Sequence, residues 1–238
     1  MFNSTVAWIT FRALFGRRRA LLFALPAVIL IVLTLGLKSA NGTVQDWPAI
    51  VLGEVGAGAV VPLTALLVGT SVLGSEIDDN SVLHLLATPV PRRAVIVSKA
   101  AVSAAVVFLF AAVPVLVAGV IAQSGVHALG LGCFLGSSLG ALVYSCLFVM
   151  ISAALRHPVI YALAYVALWE ELISNLVGGA KYLSIEQWSL GVAHAVSHNA
   201  DLNAHLTITP SLVLAAIAVI LVPAYAARRL SAFTVRAD

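Results

Sequence analysis

Residues 74–99 read GSEIDDNSVLHLLATPVPRRAVIVSK. The stretch is a polar island in an apolar chain: Glu76, Asp78, Asp79, Arg92, Arg93 and Lys99 crowd into it. Between the acids and the bases, Val82-Leu83-His84-Leu85-Leu86-Ala87 gives a short apolar helix signal. Pro89 and Pro91 stop it, because proline has no backbone N–H and pushes the residue before it out of the helical region. The island reads as a water-exposed loop that carries a short helix for docking onto a soluble partner. Its flanks then have to be membrane.

Composition agrees. Of 238 residues, 61% are hydrophobic and 10% charged, and the mean hydropathy is +1.06. A soluble domain is about 45–50% apolar and about 25% charged, so too little polar surface exists to cover a water-soluble globule. The net charge of +3 comes from bases set in short groups between apolar runs. That is the pattern of membrane topology, not the single basic face of a nucleic-acid binder. Cys133 and Cys146 lie in one apolar run. Thirteen helical residues separate them by about 20 Å, beyond the reach of a disulfide, and they read as small packing residues.

Working outward from the island, 50–73 reads as a second transmembrane helix, with Glu54 near its outer end, Pro62 in its middle and Gly53, Gly56, Gly58 and Gly69 for close contact. Residues 20–37, behind Arg17-Arg18-Arg19, form a first span, read as an uncleaved anchor. Ahead of it, 3–16 reads as an interfacial amphipathic helix with Trp8, Phe11 and Phe15 on one face. Downstream, 100–121 is a third span, interrupted by Pro114. Residues 129–155 form a fourth, whose Gly132, Gly136 and Gly140 recur every four residues and suggest a helix–helix contact face. Residues 159–176 form a fifth, carrying Glu170-Glu171. The outer loop 178–209 holds Trp188, Leu190 and Val192, so part of it re-enters or lies on the membrane, and 210–226 is a sixth span. The fold class is an all-α membrane protein, one domain of six transmembrane helices with a cytoplasmic coupling loop at 74–99.

Six spans put both termini on one side. With that side inside, eleven bases face inward (Arg12, Arg17, Arg18, Arg19, Arg92, Arg93, Lys99, Arg156, Arg228, Arg229, Arg236) and two, Lys38 and Lys181, face outward. The positive-inside rule therefore places the island and both termini in the cytoplasm. No P-loop, G-x-S-x-G, H-E-x-x-H or C-x-x-C is present, and no soluble-type active site is visible.

The series Gly74-Ser75-Glu76, Leu83, Leu86-Ala87-Thr88-Pro89, Arg92 and Lys99 resembles the first cytoplasmic loop of ABC-2 type transporter permeases, with Asn80-Ser81 where Gly-Thr is common in that family. Tyr165 to Glu170, then Gly179 and Tyr182 to Ile185, is similar to the end of the fifth helix and the outer loop of small bacterial members. The resemblance covers nearly the whole chain and rests on the order and spacing of its motifs. It implies a bacterial plasma-membrane permease subunit, an exporter, that pairs as a dimer with a second copy. It also implies a separate ABC ATP-binding subunit that holds the ATP and Mg, leaving no cofactor and no enzymatic activity on this chain. The docking residues implied are Glu76, Asp79, Val82, Leu83, Leu86, Pro89, Arg92 and Arg93. The cargo is left open, since a drug, peptide, lipid or sugar would each fit a greasy cavity lined by small residues.

Other readings compete with these. Glu170, Glu171 and Glu54 are candidates for a substrate path, because ionisable residues inside spans are costly and often functional. The plainer alternative for Glu170 and Glu171 is an outer-interface position in water. His194 and His198, four apart, with His205 nearby, offer a weak metal pattern, and outer-surface polar residues are the favoured reading. Intramembrane proteases related to prenyl-protein processing pair Glu-Glu with an Arg after three intervening residues. Here Asn175 stands at that place and the histidines lie outside the spans. A membrane scaffold or immunity protein without transport is a further alternative.

Overall fold

The computed structural model describes residues 4–15, 19–40, 46–78, 92–123, 125, 127–176, 178–198 and 202–233. Among them the chain is helical, with no strand. The first helices are α1 (Ser4–Leu14) and α2 (Arg19–Ser39). A continuous helix, α3, covers 47–78, and α4 covers 92–123. Then follow α5 (Ala128–Ala154), α6 over 158–176, α7 (Ile185–Ser197) and α8 (Ile208–Phe233).

Among the described residues, five helices are long and apolar enough to cross a membrane: Leu21–Ser39, Trp47–Val72, Ala94–Gln123, Ala128–Ala154 and Ile208–Ala226. The stretch expected as a fifth span at 159–176 is helical and is not one of these five. The expected second and third spans run further than their apolar runs suggest. Helix α3 continues to Asp78, so Glu76 and Asp78 sit on its last turn, and α4 already begins at Arg92.

Two of the long helices widen for a readable reason. Val51–Val60 in α3 and Phe108–Ala112 in α4 take the wide i→i+5 turn. Each ends two residues before a proline, Pro62 and Pro114. Proline cannot donate to the preceding turn and clashes with its carbonyl, so the turn opens. A third wide section, Tyr165–Ile173 in α6, has no proline behind it and carries Glu170 instead.

Helix α5 is the hub. It packs against α3, α4, α6, α7 and α8, and residues such as Tyr144, Phe148 and Val149 are fully buried on it. By contrast, α2 and α8 are peripheral and show rows of exposed Leu, Ile and Val, as helices that meet lipid do. Helix α1 lies along α4 and α3 with Ala7, Thr10 and Leu14 turned in, while Trp8 is 65% exposed. The aromatic row expected on one face is present as a stack, with Phe11 and Phe15 ring centroids 4.4 Å apart. Phe15 reaches Phe110 on α4 at 6.0 Å.

Candidate functional site: a buried carboxylate between two short helices

The glycine ladder on α5 finds its partner in α7. A Cβ on Gly132 would come within 2.5 Å of the Ala193 carbonyl oxygen, and one on Gly136 would collide with the carbonyl of Ser189. One on Gly140 would lie 2.7 Å from Ser189 Oγ. The contacts run in opposite order along the two helices, so α7 is antiparallel to α5. Its C-terminus lies near the start of α5 and its N-terminus faces the middle of that helix. The loop expected at 178–209 thus contains a helix packed deep against the hub, and Trp188, Leu190 and Val192 are buried in it.

At the N-terminus of α7 the chain meets Glu170. This side chain is 1% exposed. Its Oε1 accepts from the Tyr144 hydroxyl at 3.0 Å, the Tyr165 hydroxyl at 3.0 Å and the backbone N–H of Ile185 at 3.0 Å. Its Oε2 accepts from the Ser184 hydroxyl. Ser184 is also the N-cap of α7, its Oγ accepting from Gln187 N at 3.2 Å. A carboxylate at a helix N-terminus meets the orphan N–H groups and the positive end of the helix dipole. Four donors and that dipole replace the water that Glu170 gives up on burial. The Ser174 hydroxyl donates to Glu170's own carbonyl.

Two tryptophans hold the turn between α6 and α7. Trp188 Nε1 donates to the Tyr182 carbonyl at 2.8 Å, and Trp169 Nε1 to the Leu183 carbonyl at 3.4 Å. The result joins α5, α6 and α7 at one carboxylate. Sequence reading singles out Glu170 but places it in a substrate path or in water; its donors escape it, being spread from Tyr144 to Ile185.

The other candidates fall elsewhere. Glu171 is exposed, and Glu54 is exposed on α3 with its Oε1 accepting from Asn203 Nδ2 at 3.3 Å. Glu186 is half-buried against Gly58. His194 and His198 are exposed at the end of α7, where His198 takes φ 51° and its N–H bonds the His194 carbonyl at 2.8 Å, ending the helix. His205 Nε2 pairs with Lys181 Nζ at 2.7 Å. Among the described residues no group of three His, Cys, Asp or Glu is gathered for a metal.

On the other side of the molecule, Lys99 is fully buried eight positions into the described part of α4, and its Nζ donates to the Val72 carbonyl of α3 at 3.1 Å. Glu76, Arg92 and Arg93 lie on the helix ends that flank the island. Asp79, Val82, Leu83, Leu86 and Pro89, with the whole expected coupling helix 79–87, lie outside the described residues.

A family model described as ABC-2 family transporter protein matches residues 15–177, from the end of α1 to the end of α6. No curated protein matches the chain.

Proposed function

Because the chain belongs to the ABC-2 family of transporter proteins, a family of multi-pass membrane transport components that work with an ATP-binding subunit, we propose that it is the permease subunit of an ATP-driven exporter. The family match over 15–177 carries this reading. Two copies pair in the membrane, and each docks the segment 79–87 onto a separate ATP-binding chain, which holds the ATP and Mg. Both termini face the cytoplasm, in keeping with eleven inward bases against two. Helix α1 lies in the interface with its exposed Trp8 among headgroups.

The fifth crossing is made in two pieces. Helix α6 rises from the inner side to the level of Glu170, the chain turns, and the 13 residues of α7 complete the passage beside α5. A backbone break at membrane depth is tolerated where protein covers it and its polar groups are satisfied, which is what Glu170, Trp169 and Trp188 supply. In this reading Glu170 is a positioning residue, while the exposed Glu171 and Glu54 remain the acids that can meet cargo. On the cytoplasmic side, movement of the docked segment reaches the bundle through α3 and α4, tied together by Lys99 and Val72.

The test is a mild-detergent pull-down of the tagged chain from its host, with mass spectrometry of its companions. A stoichiometric ATP-binding protein, lost in a Leu83→Glu/Leu86→Glu variant that still inserts, is the expected result. A chain that purifies alone under several detergents would overturn the proposal.

A further inference from the structure

Helices α4, α5 and α8 leave a groove between them of about 490 Å³, within the range of ligand-holding cavities. Small side chains make it: Ala100, Ala101 and Ala104 on α4, Cys146 on α5, and Pro223 on α8, with Arg228 at one end. The alanines recur at i, i+1 and i+4 and so share one stripe of α4. Behind the groove, Ala100 and Cys146 pack with Val149 in a small buried cluster of their own beside the main core. The groove is thus carved into the protein surface and is not a flat side of it.

Its chemistry is one-sided. The lining is apolar along its length, and among the described residues Arg228 is the one charged side chain on it. From Arg228 back to Val219, the far lining residue on α8, is nine helical residues, about 14 Å. Arginine near the end of a span turns its guanidinium to the headgroup layer, and its planar fork suits phosphate oxygens. A hydrocarbon slot about 14 Å long that ends on an exposed guanidinium matches one class of molecule, an acyl chain attached to an anionic head.

We propose that this groove is a binding site for one anionic phospholipid, an acyl chain lying along Ala100, Ala104 and Cys146 and the phosphate on Arg228. The bound lipid joins α4, which opens at the polar island, to the peripheral α8. The site requires only that the chain lie in a membrane and does not depend on the transport reading.

The test uses purified protein reconstituted in an equimolar mixture of phosphatidylglycerol and phosphatidylcholine, returned to mild detergent and weighed by native mass spectrometry. The expected result is one phosphatidylglycerol retained per chain. Arg228→Gln should reduce the preference for phosphatidylglycerol by at least about tenfold, the equivalent of one lost charge-assisted contact. Ala104→Phe fills the slot and should abolish retention of both lipids. Ala224→Leu, on the exposed rim, is a second filling variant for the case that Ala104→Phe does not give a monodisperse protein. Leu163→Phe, on α6 away from the groove, should retain lipid as the parent does. Equal retention of the two lipids by the parent, no retention at all, or unchanged retention in the filling variants would overturn the site.

Discussion

At the residue scale, Glu170 is the side chain with most at stake. A buried carboxylate is expensive unless its lone pairs are used, and here both oxygens accept, from two tyrosines, a serine and a backbone N–H. Glu170→Ala leaves those donors without an acceptor, at roughly 1–3 kcal/mol for each that stays buried and unpaired. A net loss of about 3 kcal/mol is expected, read as a lower melting temperature in detergent. Glu170→Gln keeps the shape but presents an NH2 where the Ser184 hydroxyl or Ile185 N–H donates, so an intermediate loss is expected. Tyr144→Phe and Tyr165→Phe should each cost about 1 kcal/mol. A Glu170→Ala protein that melts with the parent would show the network to be unimportant. The sequence makes the acid conspicuous, since a charge in an apolar run stands out. It cannot say what the acid touches, because Tyr144, Tyr165 and Ser184 are ordinary residues of apolar helices and loops until the fold collects them.

At the element scale, the contrast between two glycines on different helices is sharp. An added methyl at Gly136 on α5 meets a backbone carbonyl of α7, which can move only with the whole helix. At Gly58 on α3 it meets the end of the flexible Glu186 side chain. Gly136→Ala should therefore cost about 1–3 kcal/mol as overpacking, whereas Gly58→Ala should stay within about 0.5 kcal/mol of the parent. Thermal melting of the two variants side by side checks this. The ladder's role as a contact face is legible in the four-residue spacing, but its partner is not: α7 is short and lies in a stretch that reads as an outer loop. The wide turns are legible in part, since Pro62 and Pro114 mark two of them and nothing in the local sequence marks the third. Lys99 belongs to this scale too, as the tie between α3 and α4. Lys99→Met removes the bond while keeping the length of the stem. Tryptic cleavage at Arg92 and Arg93 should then accelerate by about tenfold for each 1.4 kcal/mol of local stability lost, and cleavage at the parental rate would deny Lys99 that role.

At the scale of the whole molecule, topology follows from which segments cross. The apolar runs announce five of the helices plainly. In the proposed topology the remaining crossing is shared between α6, which carries two acids, and α7, which is too short to cross alone, so no single apolar run announces it. The count still decides where the ends lie. With six crossings, a cysteine placed at Asn203 should react with an impermeant maleimide in intact cells, and one placed at Ser231 only after permeabilisation. The native Cys133 and Cys146 are buried and should stay silent. Reaction at both engineered positions in intact cells would mean that the chain ends on opposite sides.

The glycine face of α5 also sets an order of events during biosynthesis. A 13-residue helix with Glu186, Gln187 and His194 in it does not partition into a bilayer on its own, since about 20 apolar residues are needed. Helix α7 can enter only once α5 stands in the membrane and offers its glycines, and Glu170 can be covered only then. Faults in the ladder should consequently leave insertion of the long helices untouched and surface later, as chains integrated on schedule but cleared by quality-control proteases before they mature.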